Sequence, residues 1–130
     1  MSCDNKKIGI EGERLARNFL ENKGYEIIEI NFYCRFGEVD IITKINNEIS
    51  FVEVKTRRQI KYGFPAESVT KVKKRHMYKI AEFYTYLYNL YDISISFDVI
   101  EVYLFKDKEA RIEHIKNVII EKPKKTFLYK

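Results

Sequence analysis

Residues 37–55, "GEVDIITKINNEISFVEVK", constrain the fold more than any other stretch. Two runs rich in Val, Ile and Phe flank Asn46 and Asn47. Asn tolerates positive φ, so the pair reads as the turn of a hairpin. Val39, Ile41, Ile42, Phe51, Val52 and Val54 make the two strands apolar on both sides. Strands of that kind lie centrally in a sheet that is covered on both faces. The chain must therefore supply helices to cover it.

Two segments have helical spacing. In "IGIEGERLARNFLENK" (8–23), Ile8, Leu15, Ala16, Phe19 and Leu20 form one apolar stripe, and Gly24 follows as a C-terminal stop. "SVTKVKKRHMYKIAEFYTYLYNLY" (68–91) is the second, with Ser68 or Thr70 as cap and Val69, Val72, His76, Ile80, Phe83 and Leu87 as its expected core stripe. "YEIIEIN" reads as a first strand and "FYCRFG" as a loop. "EVDIITK" and "ISFVEVKT" are the hairpin strands, "ISISFDVIEVYLF" a fourth strand and "RIEHIKNVII" a fifth. "RRQIKYGFPAE" breaks all periodicity and reads as a basic loop. The order is α-β-β-β-α-β-β, an α/β fold with a mixed sheet. At 130 residues, without repeats, it is one domain, with a core over about 8–120 and a basic tail over 121–130.

The net charge of +5 leans towards an anionic partner, nucleic acid being the commonest. Cys3 and Cys34 lack metal-type spacing and are too few for a disulfide framework, so both read as reduced thiols. No apolar run suggests a signal peptide or a membrane span. The expectation is a cytoplasmic protein with no membrane partner.

A hairpin centred between Asn46 and Asn47 sets Asp40 opposite Glu53. Strand alternation puts Glu53, Lys55 and Phe51 on one face, joined there by Asp40, while Val39, Ile41, Val52 and Val54 point the other way. Like charges directly opposite each other destabilise a sheet. A divalent cation converts that repulsion into shared coordination, and Mg²⁺ binds through one or two carboxylates with water or phosphate oxygens completing its shell. A solvated strand face is the alternative, but the surrounding apolar residues argue against it, since charges there need pairing or a metal. Glu13, at the margin of the first helix's stripe, is placed to look towards the pair, with Glu11 as the alternative.

Asp40 with Glu53-Val54-Lys55 resembles the core of the PD-(D/E)xK nuclease superfamily. More of the chain resembles the YraN-like family of uncharacterised bacterial proteins. The matching stretches are "GERLARNFLENKGYEIIEIN", "GEVDIITKINNEISFVEVKTR", "FPAESVTKVKKRH" and "SFDVIEV", together spanning roughly residues 8–104. The resemblance implies a restriction-endonuclease-like fold, similar to that of Holliday-junction resolvases. It also implies Glu13, Asp40 and Glu53 as metal-binding acids, with Lys55 as the motif's lysine. Ser96 stands where such proteins often carry an Arg.

These residues suit phosphodiester hydrolysis with Mg²⁺ or Mn²⁺. Glu13, Asp40 and Glu53 would hold the metal, and Lys55 would position water or offset charge on the phosphate. Arg57, Arg58 and Lys61, with Lys71, Lys73, Lys74 and Arg75, are candidate phosphate contacts on DNA. Neither His76 nor His114 has a triad-like setting, and His76 reads as packed. The leading expectation is a metal-dependent endonuclease acting on branched or structured DNA; symmetric cutting would favour a homodimer. The rivals are a nucleic-acid-binding protein without hydrolysis and a dimerising module built on the tyrosines of the second helix.

Overall fold

The structure, a computed structural model, describes residues 3–59 and 71–118, with side chains over 6–59 and 76–118. Its elements are α1 (Cys3–Asn22), β1 (Glu26–Cys34), β2 (Gly37–Ile45), β3 (Glu48–Arg58), α2 (Lys71–Leu87), β4 (Ser94–Leu104) and β5 (Arg111–Ile115). The strands form one sheet in chain order, β1-β2-β3-β4-β5. Every pairing is antiparallel except β3–β4, which is parallel and therefore needs the crossover that carries α2. This is the expected α/β class and element order, and it is consistent with a restriction-endonuclease-like fold.

Two cores confirm that the sheet is covered on both faces. Ile41, Val52, Ile100 and Val102 bury against Ala16 and Leu20 of α1. Val39, Ile42, Ile49 and Phe51 bury against Ile80, Ala81 and Tyr84 of α2. Ile41 and Ile42 are neighbours in sequence, and both are fully buried, one on each side.

The turn residues behave as their chemistry dictates. Asn46 has φ 52° in the hairpin turn. Gly24 has φ 95° just past α1, and the Tyr25 N–H donates to the Leu20 carbonyl at 3.0 Å, closing that helix end. Asn89, φ 60°, does the same after α2, where the Leu90 N–H donates to the Thr85 carbonyl at 2.9 Å.

Several expectations need correction. Asn31 does not end β1; the strand continues through Phe32, Tyr33 and Cys34 to a two-residue turn at Arg35 and Phe36. The buried stripe of α2 is Met77, Ile80, Ala81 and Tyr84. His76 is exposed, not packed, and Leu87 is 49% exposed. The shift arises because Tyr84 acts as a core residue, its ring edge-on to Phe32 at 5.1 Å and to Phe51 at 5.7 Å. Arg57 and Arg58 belong to β3 rather than to a loop. β5 stops at Ile115, because Asn117 turns the chain with φ 55°. Ser68, Val69 and Thr70, most of the expected loop and the basic tail lie outside the described residues, as does the side chain of Val72.

Sequence reading missed a buried polar network at β4 and β5. Asp98 is 1% exposed. Its Oδ1 accepts from the Ser96 hydroxyl at 2.6 Å and from the Asn117 N–H at 3.2 Å, and its Oδ2 lies 2.8 Å from His114 Nε2. Ser96 and His114 both bond the carboxylate, so the arrangement anchors β5 rather than activating a hydroxyl. Burial works to raise the Asp98 carboxyl. The hydrogen bonds from His114, Ser96 and Asn117 outweigh it and hold the group below the usual carboxylate value. A depressed folded pKa contributes stability above the unfolded value of about 3.9, and that stability is lost as pH falls through the folded value. Asp98→Asn is expected to cost about 3 kcal/mol near neutrality, and to flatten the loss of stability below about pH 4. Urea unfolding across pH measures both; an unchanged acid limb would contradict the role given to Asp98.

Candidate functional site

The site begins where β2 and β3 stop pairing. Their backbone partners run from Ile45↔Glu48 to Ile41↔Val52, the register read from the sequence. One step further, the Val54 N–H donates to Asp40 Oδ2 at 2.8 Å, so a side chain takes the place of the neighbouring strand. On the other edge of β2, Ile30 pairs with Ile41 and Phe32 with Val39. Asn31 falls between these pairs, across from Asp40, and has φ 51°. The kink breaks strand alternation at Asp40. Val39 packs on the α2 side with Phe51, whereas Ile41 packs on the α1 side with Val52. The expectation that Val39 and Ile41 share a face is therefore wrong.

The break opens a cavity of about 790 Å³ between α1 and the hairpin. Glu13 of α1, Asp40 of β2 and Lys55 of β3 all line it. Their approach is set by Gly12. A Cβ at Gly12 would overlap the Thr56 side chain, so only glycine lets α1 lie this close to β3. Glu13, the next residue, is thereby held over the opening. Glu11, its alternative, faces solvent and pairs with Arg14 at 2.6 Å.

Glu53 is more deeply buried than Glu13, Asp40 or Lys55. It is 5% exposed and does not line the cavity. Alternation sets it with Phe51 on the α2 side, and its Oε1 lies 3.9 Å from Lys55 Nζ. The break in alternation at Asp40 turns the aspartate towards the α1 cavity, where Lys55 also lies. Lys55 spans the two, near Glu53 and yet lining the cavity. No cluster of three His, Cys, Asp or Glu stands ready for a metal among the described residues.

Sequence reasoning missed Glu38, which lines the cavity two residues before Asp40. Its signal was the same spacing of two that drew Glu53 and Lys55 together. Burial raises the Glu13 carboxyl, Arg17 pulls it down, and the charge of Glu38 adds to the rise. Carboxylates lining one cavity are of the hard-oxygen donor type that Mg²⁺ or Mn²⁺ takes. Glu13 and Asp40 are the residues that would hold such an ion, with Glu38 beside them.

The expected DNA contacts fall unevenly. Arg57 lies on β3, with Nη2 3.4 Å from Glu101 Oε2, and only 11% of its side chain is exposed. Glu101 also accepts from the Tyr103 hydroxyl at 2.5 Å. Arg58 ends the strand exposed. Lys61 and the side chains of Lys71, Lys73, Lys74 and Arg75 lie outside the described residues. No helix among the described residues is long and apolar enough to cross a membrane.

Comparison with known proteins places this arrangement in context. The model of the uncharacterised protein family UPF0102 matches residues 12–102, which span the whole site from Gly12 through Lys55. A UPF0102 protein from Clostridioides difficile is 47% identical over 114 residues, covering 88% of this chain and 97% of that one. One from Caldicellulosiruptor saccharolyticus is 45% identical over 113 residues, covering 86% and 96%. One from Geobacter sulfurreducens is 43% identical over 116 residues, covering 89% and 91%.

Proposed function

The chain belongs to the UPF0102 family, and from that premise we propose that it is a divalent-metal-dependent nuclease that hydrolyses phosphodiester bonds in branched or structured DNA. One observation carries the reading. α1 and the two strands of the hairpin bring Glu13, Asp40 and Lys55 to the same cavity, at the point where those strands separate. Such an opening gives a phosphate access to charged groups otherwise surrounded by apolar core.

A bound Mg²⁺ would supply an activated water and offset charge on the phosphate. Asp40, fixed by the Val54 N–H, and Glu13, fixed over the opening by Gly12, hold their carboxylates towards that position. Lys55 brings a point charge to the attacked phosphate and orients the incoming water. Lys55 in turn is steadied by Glu53.

The separation of Glu53 from the cavity favours a second reading, a nucleic-acid-binding protein on the same fold without hydrolysis. Titrating Mg²⁺ or Mn²⁺ into the protein by calorimetry separates the two. Saturable binding that disappears in Asp40→Asn and in Glu13→Gln supports the nuclease. Absence of binding, both in the protein alone and with a DNA junction present, would favour the second reading.

A further inference from the structure

α1 carries two glycines three residues apart, and the structure explains only one of them. Gly12 is required by contact with Thr56. Gly9 is not: a Cβ there would meet no atom within 4 Å among the described residues, and its φ lies outside the left-handed region. Glycine is the poorest helix former after proline, so at Gly9 it weakens α1 with no return in packing against the described residues. What remains is space. Gly9 lines the cavity of Glu13, Asp40 and Lys55, and so do Lys6 and Ile10. Positions 6, 9, 10 and 13 are spaced i, i+3, i+4 and i+7, which is a single face of a helix. Ile10 on that face is 59% exposed. A single exposed isoleucine is ordinary, but this one stands between a lysine and the candidate catalytic acids.

Resting on the nuclease reading above, we propose that this face of α1 is the wall along which an unpaired DNA strand enters the site, with Gly9 as the position of closest approach. A bare backbone at Gly9 lets the sugar-phosphate chain lie against the helix. Lys6 takes a phosphate next to the scissile one. Ile10 packs against a base or sugar, a contact open to bases that are not already stacked within a duplex. The acids of the site repel phosphates, so the lysine on the approach gives the strand a favourable path. Branched DNA offers such unpaired segments at its junctions, which links this wall to the proposed substrate.

The test is binding rather than cleavage, so the two readings can fail separately. A labelled single-stranded oligodeoxynucleotide and the matching duplex are titrated with the full chain in chelator, and anisotropy is followed. The single strand is expected to bind more tightly than the duplex. Gly9→Leu is expected to weaken it about tenfold or more, the effect of removing one strong interaction with the strand. That variant keeps a Tm at or above wild type, because leucine favours the helix and meets open space. Lys6→Ala should reduce the slope of log affinity against log salt by about one phosphate contact. A folded Gly9→Leu that binds as wild type does overturns the wall, as does equal affinity for duplex, or no DNA binding at all. Binding lost in Gly9→Leu by a wild-type protein that never cleaves would keep the wall and remove the nuclease.

Discussion

Asp40→Asn is expected to abolish nuclease activity, lowering cleavage by at least about 10³-fold, beyond the 10²–10³ that removal of one preorganised polar donor costs in other enzymes. The reason is that Asp40 does two jobs. Its Oδ2 accepts the Val54 N–H at 2.8 Å and so holds the open end of the β2–β3 hairpin. On the proposed nuclease reading, its charge would also help to hold a cation beside Glu13. Asparagine keeps an acceptor oxygen for Val54 and removes the charge, so the fold survives and the chemistry does not. Glu13→Gln should lose comparable activity, because it removes the carboxylate that burial already makes costly to ionise without a cation. Lys55→Ala should fall by about 10²–10³-fold, the loss of one charge aimed at the phosphate. These three substitutions act on one site, so the double variants should be little worse than the singles. Activities that multiplied independently would place the residues in separate sites.

Gly12→Ala is expected to give the largest loss of stability of any single methyl group added to α1. The new Cβ would overlap the Oγ1, Cγ2 and Cβ atoms of Thr56, which sits on a central strand and cannot move far. Overpacking of this kind costs about 1–3 kcal/mol and sometimes more. The favourable helix propensity of alanine over glycine, about 0.8–1 kcal/mol, does not offset it. If α1 instead shifts outward to relieve the overlap, Glu13 moves off the opening, and activity falls in protein that is still folded. Thr56→Gly weakens β3 on its own account, but it removes the overlapping atoms, so the double variant should be clearly less destabilised than the sum of the two singles. Thermal unfolding of the single and double variants measures this. A Gly12→Ala protein as stable and active as wild type would show that α1 does not rest on β3 as described. Gly9→Ala on the same helix should not lower the Tm, and the contrast between the two glycines isolates packing from propensity.

The fold was legible in residues 37–55 because binary patterning there is unusually clear. Apolar residues on both sides of both strands demanded two covering layers, and α1 and α2 supply them. Asn46 and Gly24 announced their positive φ through residue type alone. The register was legible too, because a symmetrical two-residue turn leaves little freedom. What periodicity could not reveal was the kink at Asn31 opposite Asp40. The first strand was read as ending at Asn31, whereas Asn31 adopts the left-handed conformation inside a ladder that continues beyond it. That one residue breaks the alternation from which the facing of Asp40 was read. The α2 stripe failed for a different reason: it was drawn through His76, Phe83 and Leu87 without the tyrosines, yet Tyr84 fills the core with its ring. The Ser96–Asp98–His114 network was invisible because it joins neighbours on two strands whose register no local pattern sets. Glu13, Asp40 and Lys55, which line one cavity, could be singled out because charges amid apolar strands, and at the margin of an apolar helix face, stand out against their surroundings.

The nuclease reading is tested most directly by incubating the full chain with end-labelled branched DNA and Mg²⁺ or Mn²⁺, with Asp40→Asn purified in parallel. The expected result is cleavage by the wild type that stops in chelator and is absent from the variant. No cleavage of the branched DNA with either metal, or cleavage that persists in Asp40→Asn at the wild-type rate, would contradict it.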